Sequence, residues 1–393
     1  MVLAGPHSSS FAKTFAVALR ALGRRVPTGG GAESRPATAA APSASDPALD
    51  PFRKTLLATL RQVSRPTRAL VFVSGTPTPA GAIAEALSET SRNLDAIVVP
   101  SAGILTEGGE LEGVPAVSGV VFGGRGGPIV SGGSAEDVAE KLGATRNVLT
   151  FHAAEGFDSA EVDVLSKGRS CVFGAGAPGA SVWVVRGGRV DAARIAAVGL
   201  DGGAPIVEST PACKLVSEPL EVTEMDRSFI LKLGGEPALD VLSSKAGGGR
   251  YGGLVLIAVH DEAEPSRFLV RPLRGIDPGR KAIAAAGQIA VGDKISFAVR
   301  DATAARDGLT ETARRAERQA LGSTPTFALY LSCAGRGRAL YGEPDGDVRV
   351  LRKRFPRIPM AGMHSAFEIV PWSDGSARMQ LMSGVLALFR AAS

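Results

Sequence analysis

Two stretches of this 393-residue chain run through the same order of short apolar segments. In the first, Ala69–Val73 is too short for a buried helix and reads as a strand that ends in Ser74 and Gly75. A helical pattern follows over 80–91. A second strand, Asp95–Val99, ends in Pro100, Ser101, Ala102 and Gly103, and a third, Ser118–Phe122, runs into Gly123 and Gly124. Near the other end, Phe327–Leu331 is a strand ending in Ser332 and Cys333. A helix over 347–354 comes next, then 358–362 leading into Met363, His364 and Ser365, and last the strand Ser383–Phe389. Strands alternating with helices indicate a parallel core. The fold class is therefore α/β: two related α/β regions of mixed sheets with flanking helices, behind a disordered leader. Internal duplication is one reading of the recurrence, and a chance match of generic α/β segments is the other. Duplication predicts two lobes facing each other, with a ligand cleft at strand ends carrying small residues.

The chain before this body differs in composition. Residues 10–24 place Phe11, Phe15, Leu19 and Leu22 at helical spacing and hold no acid, as a mitochondrial transit helix would; a disordered extension is the alternative. Residues 28–50, rich in Gly, Ala, Pro and Ser, read as a linker. The expected organisation is leader and linker over 1–50, one domain over 51–237 and a second over 238–393. In the middle, Ser181–Val185, the Gly187-Gly188 turn and 195–200 read as a hairpin-like pair.

Composition removes several classes of function. The chain has 49 glycines and 25 prolines but only 20 aromatic residues, too few for a base-stacking surface. Of the net charge of +5, Lys13, Arg20, Arg24 and Arg25 contribute four, so the body is near neutral and no nucleic-acid partner is indicated. Cys171, Cys213 and Cys333 are far apart, with no CxxC and no Cys/His cluster, so neither a metal nor a disulfide framework is expected. A reducing, cytoplasmic setting fits, or the mitochondrial matrix if the leader is a transit peptide. No apolar run reaches 18 residues, so no membrane-spanning helix is expected. Gly174, Gly176 and Gly179 match GxGxxG, but a strand pattern follows where a phosphate-binding helix should start, and no Walker lysine motif occurs. No cofactor is expected.

The segment Ser332–Gly337 is the most distinctive in chemistry. A thiol, Cys333, ends a strand and enters a turn of Gly335, Arg336 and Gly337. Backbone N–H groups there could hold an anion, and Arg336 could grip a carboxylate at two points. Three readings stand: a ligand clamp with Cys333 in contact, a Cys333 nucleophile with His364 as base, and a buried structural cysteine. His364 and Glu368, four residues apart, could donate and accept at the cleft floor, with Ser101 at the comparable turn of the first stretch. The basic run Arg349, Arg352, Lys353, Arg354 and Arg357 reads as a solvated helix face, with a protein partner as the alternative.

These residues carry a family resemblance. The segment 95–107 resembles the apolar strand and polar turn of the FIST N region. Cys213–Thr223, with Glu218 and Pro219, and then 230–239, resemble that family's middle. Ser332–Gly337 and 358–369 are similar to the FIST C region, and the motifs occur in the family's order. The resemblance covers roughly residues 65–390. It implies a stand-alone sensory module acting in signal transduction, which binds a small ligand such as an amino acid or related anionic or zwitterionic molecule between its two regions. The ligand-binding set would be Ser101, Cys333, Gly335, Arg336, Gly337, His364 and Glu368. In eukaryotes the family also follows an F-box; residues 1–50 are too short and too rich in Gly, Pro and Ala to form one.

Overall fold

The computed structural model describes residues 12–18, 46–75, 80–123, 127–200, 204–246, 255–287, 289–322 and 325–390. Most of the expected leader, linker and transit segment therefore lies outside the described residues. Residues 12–18 are not helical as the apolar spacing predicts. They form strand β1 (Ala12–Ala18), completed by an antiparallel partner a hundred residues later. Thr14, Phe15 and Val17 suit a strand once a partner edge is present.

The repeat is real in the structure, and it is threefold rather than twofold. The first copy runs β1, α1 (Asp50–Leu60), β2 (Pro66–Ser74), α2 (Ala80–Thr90), β3 (Asp95–Ser101), a hairpin of β4 (Gly103–Thr106) and β5 (Gly109–Glu112), and β6 (Ala116–Gly123). The second runs β7 (Ile129–Gly132), α3 (Ala135–Leu142), β8 (Asn147–Ala153), α4 (Ala160–Ser166), β9 (Cys171–Ala177), a hairpin of β10 (Val182–Arg186) and β11 (Arg189–Ala193), and β12 (Ile195–Gly199). The third opens with β13 (Ile206–Pro211) and is interrupted by an insertion. That insertion comprises β14 (Cys213–Leu215), β15 (Leu220–Asp226), β16 (Phe229–Leu233), β17 (Glu236–Pro237), α5 (Ala238–Ala246), β18 (Val255–His260), β19 (Phe268–Asp277), β20 (Ala282–Ala285) and β21 (Lys294–Arg300). The copy resumes with α6 (Ala302–Gln319), β22 (Pro325–Cys333), α7 (Gly337–Tyr341), α8 (Gly346–Arg354) and β23 (Met360–Ser365), a hairpin of β24 (Glu368–Pro371) and β25 (Ala377–Gln380), and β26 (Ser383–Arg390).

Each copy builds a sheet around two parallel strands and sends its hairpin to a neighbour. The sheet orders are β1-β6-β2-β3-β10-β11, β25-β24-β9-β8-β12-β7 and β13-β26-β22-β23-β4-β5. The hairpin β4-β5 thus extends the third sheet, β10-β11 the first and β24-β25 the second. The registers superpose: the rows Gly119–Val71–Val98–Trp183, Ala197–Thr150–Gly174–Ile369 and Leu386–Tyr330–Gly362–Leu105 are equivalent. This exchange corrects the expected hairpin between 181–185 and 195–200. β10 pairs with β11, while Ile195–Gly199 returns to its own sheet beside β8.

The three sheets turn one face each to a shared core. Phe72, Ile97 and Val99 meet Leu149, Phe151 and Phe173, together with Leu329, Leu331 and Met363. Period-two alternation puts the intervening residues on the outer faces, where helices cover them: α1 and α2 on the first sheet, α3 and α4 on the second, α6 and α8 on the third. Each large apolar side chain buried this way contributes about 2–3 kcal/mol, so three independent outer layers plus one centre hold the body together. Ser134 caps α3 by accepting from the Asp137 N–H, and Asp301 caps α6 by accepting from Ala304. Ala305, Leu309, Ala313 and Ala316 form the buried stripe of α6, small enough for close approach to the third sheet.

The insertion closes on itself. Its strands run β14-β21-β15-β16-β20-β19-β18, and β18 also pairs with β21, making an antiparallel barrel with α5 packed into its core. The expected domain boundary at 237/238 falls inside this barrel, between β17 and α5.

Candidate functional site

Strand alternation divides the predicted ligand residues between two faces. β22 and β23 pair in parallel with Ser332 opposite His364 and Cys333 opposite Ser365. Cys333 and Ser365 continue the inward series of Leu331 and Met363. Ser332 and His364 continue the outward series under α7 and α8. Ser101 ends β3 at the position equivalent to Ser365; it too is buried, and its Oγ has no hydrogen-bond partner.

On the outward face, Arg336 does grip a carboxylate at two points, and the carboxylate is that of Asp347 in α8. Arg336 Nε lies 2.8 Å from Asp347 Oδ2 and Nη2 lies 2.9 Å from Oδ1. Tyr330 (2.8 Å), Tyr341 (2.6 Å) and Ser332 (3.2 Å) also donate to Asp347. Arg336 and Asp347 are both fully buried. The clamp expected for a ligand is thus filled from within the chain. Burial alone would raise the Asp347 pKa, but the Arg336 guanidinium and the donated hydrogen bonds hold it below the ordinary value. The turn is tied down further by Arg300, which donates to the Gly335 carbonyl.

On the inward face, Glu368 replaces an apolar core position. Ser365 Oγ donates to Glu368 Oε1 at 2.6 Å, and Ser383 donates to Oε2. Burial pushes the Glu368 pKa up to about 8, against the opposing effect of the two serines. Burial, and then Glu368 itself, raise the Cys333 thiol to about 11. A nucleophilic cysteine needs the opposite shift, and His364 sits on the other side of the sheet, where it cannot serve as its base.

His364 meets two carboxylates that sequence inspection does not connect with it. Its Nε2 lies 3.8 Å from Glu110 Oε2 and 4.0 Å from Glu112 Oε1. Both come from β5, on the exported hairpin beside β23. Glu110 Oε1 accepts from the Val348 N–H at 3.1 Å and Glu112 Oε1 from Arg338 at 2.9 Å. Burial, then Asp347, raise the Glu110 pKa to about 7, and burial lowers that of His364 against the pull of Glu112 and Asp347. The alternation Gly109-Glu110-Leu111-Glu112 announces a strand with two acids on one face, but nothing local says which strand it will join.

A groove of about 590 Å³ runs between the barrel and the three-sheet body. Its walls are β13 and α6 on one side, and the loop before β19 with Pro371 and Trp372 on the other. Arg315 pairs with Glu208 at 3.0 Å, and Arg267 stacks over Trp372 at 4.7 Å while approaching Glu264 at 3.9 Å. Gln380 lies at its inner end. It is buried, its Nε2 donates to the Phe268 carbonyl, and its Oε1 has no partner. None of the seven predicted residues lines this groove, but Gln380 sits directly across the β24–β25 ladder from Glu368. The basic run of α8 is exposed, with Arg349 paired to Glu343 and Arg354 to Glu317. Among the described residues no helix is long and apolar enough to cross a membrane.

Comparison with known proteins gives two family matches and several relatives. Residues 67–236 match the FIST N domain and residues 243–371 match the FIST C domain. An uncharacterized protein of Mycobacterium tuberculosis, Rv0628c, is 34% identical over 203 residues, which is 49% of this chain and 52% of the relative. Uncharacterized protein Mb0898c of Mycobacterium bovis is 33% identical over 198 residues, 48% of this chain and 50% of the relative. The chain spans about half the length of the curated relatives it matches.

Proposed function

We propose a function from one premise: this chain belongs to the FIST family, whose domains are associated with sensory and signal-transduction proteins. Our reading is that it binds a small zwitterionic molecule of amino-acid type in the groove between barrel and body. The groove draws 207–211 from the FIST N region and the rest of its lining from the chain beyond 260. A ligand there would report to both regions at once.

The observation that carries this reading is the Gln380 Oε1. Gln380 lines the groove, but its Oε1 is shielded and has no donor, which costs about 1–3 kcal/mol; a rotation that turned the amide toward a bound ammonium group would supply one. Arg267 and Arg315 flank the groove and are each partly exposed, so a ligand carboxylate would have partners at the rim by displacing Glu264 or Glu208. Glu368, held by Ser365 and Ser383, lies across the β24–β25 ladder from Gln380.

Thermal-shift measurements with the twenty amino acids and their decarboxylated and N-acetylated derivatives test the reading. A binder at a hundredfold excess over its Kd stabilises by about 2.7 kcal/mol, enough to move the melting temperature. Gln380→Leu should lose most of that shift. An equal shift in both proteins would place the ligand elsewhere, and silence across the whole panel would remove the ligand class.

A further inference from the structure

We propose that Glu110, Glu112 and His364 bind a divalent first-row transition-metal ion, of the zinc or manganese type, on the outer face of the third sheet. The register of three neighbouring strands builds the site. Glu112 on β5 pairs with Gly103 on β4, and Gly103 pairs with His364 on β23. The middle of this row carries no side chain, so the outer two lean over it toward each other. A Cβ at Gly103 would lie 2.7 Å from the His364 ring, and one at Gly337 would lie 2.5 Å from Glu112 Oε1. Two glycines thus keep open the space that the donors share.

The donors are spaced for an ion rather than for each other. All three ligand atoms lie within 4.8 Å of one another. Donors that share one ion tetrahedrally at about 2.1 Å stand roughly 3.4 Å apart, so the 3.8 and 4.0 Å from His364 Nε2 to the two carboxylates lie about half an ångström wider than an occupied site, a gap that small side-chain rotations close. A direct hydrogen bond would need about 2.8 Å, and none is made. The Nε2 of His364 and the Oε2 of Glu110 are buried without a hydrogen-bond partner, and His364 is 1% exposed. Backbone N–H groups of Val348 and Arg338 meanwhile orient the two carboxylates, as an outer shell does for metal ligands.

One imidazole with two carboxylates suits zinc, manganese or ferrous iron better than calcium or magnesium, which prefer oxygen alone. Three protein donors leave a position for water. Glu112, with 23% of its side chain exposed, marks the side open to solvent. This site lies apart from the groove and does not depend on a ligand binding there.

Titration calorimetry of the chelator-treated full chain with zinc chloride and with manganese chloride tests the proposal. The expected result is one ion per chain for at least one of the two metals. Glu112→Gln, at a partly exposed position where folding is retained, should weaken binding at least about tenfold, and His364→Gln should do the same. A cobalt-loaded sample should show visible absorption that both variants lose. Absence of stoichiometric binding by either metal would overturn the proposal. So would a folded Glu112→Gln protein, with unchanged circular dichroism, that binds as tightly as the parent.

Discussion

The first and third copies of the repeat share a register and differ in what they place on it. Where the third copy has Ser332, His364 and Glu368, the first has Val73 and Pro100 on its own strands and Ile104 on the hairpin it exports. Ile104 and Val182 both sit in the central core, so the position of Glu368 is apolar in the other two copies. The outer face beside α1 and α2 is wholly aliphatic at Val71, Val73 and Val98, whereas the face beside α8 carries Tyr330, Ser332 and His364 against Asp347 and Arg336. The first copy shows what this fold needs in order to form. The polar residues of the third are additions to it, and buried polar groups carry a cost that an apolar core avoids.

That contrast is open to direct attack, and the largest effect should come from Asp347. Replacing it with alanine leaves the Arg336 guanidinium buried and unpaired, and should cost about 3–5 kcal/mol in denaturant unfolding. The pair also sets an acid limit. Because the Asp347 pKa is lower in the folded chain, its contribution is present above the ordinary carboxylate range and is lost as pH falls through the lowered value. Asp347→Ala should remove that part of the acid sensitivity.

Glu368 should act in the opposite direction. Its pKa rises from 4.5 to about 8 on folding, so the native state holds a proton that the unfolded chain releases. Its contribution is fully present below pH 4.5 and is lost as pH rises toward 8. The slope is at most about 1.4 kcal/mol per pH unit. Glu368→Gln, which stays neutral, should flatten the melting temperature across that interval and exceed the parent protein at its alkaline end. A variant with the parent's pH dependence would mean that Glu368 does not titrate there.

The smallest effect concerns Cys333. With its thiol pushed up to about 11 and the side chain buried, iodoacetamide should label it more slowly than free cysteine at neutral pH. Labelling faster than free cysteine would restore the nucleophile reading and make the third copy catalytic.

Much of the architecture is legible in the sequence because it is local. Apolar runs of five to seven residues, ending in small residues and followed by helical patterns, identify β2, β3, β22 and the α/β class. The second copy escapes the same inspection for two reasons. Its strand β9 carries Gly174 and Gly176, which look like a phosphate loop, and the turn at Gly187 and Gly188 draws β10 and β12 into a false hairpin. The exported hairpins are not legible at all, since their partners lie 80 to 260 residues away. The site shows the same limit. Ser332, Cys333, Arg336 and His364, expected at a ligand cleft, are buried on the two faces of the third sheet, and the carboxylates beside Arg336 and His364 come from α8 and β5, where only the fold delivers them. The strand at 12–18 is a further case, in which a waiting edge at β6 decides a segment whose spacing favours a helix.

The measurement that bears most directly on the central claim is calorimetric titration of the strongest amino-acid-type binder into the parent chain, Gln380→Leu and Ser101→Ala. The account predicts that Gln380→Leu loses binding by at least about tenfold while Ser101→Ala keeps it, because Gln380 lines the groove and Ser101 does not. Binding retained by Gln380→Leu and lost by Ser101→Ala would contradict it and move the ligand to the inward ends of the parallel strands.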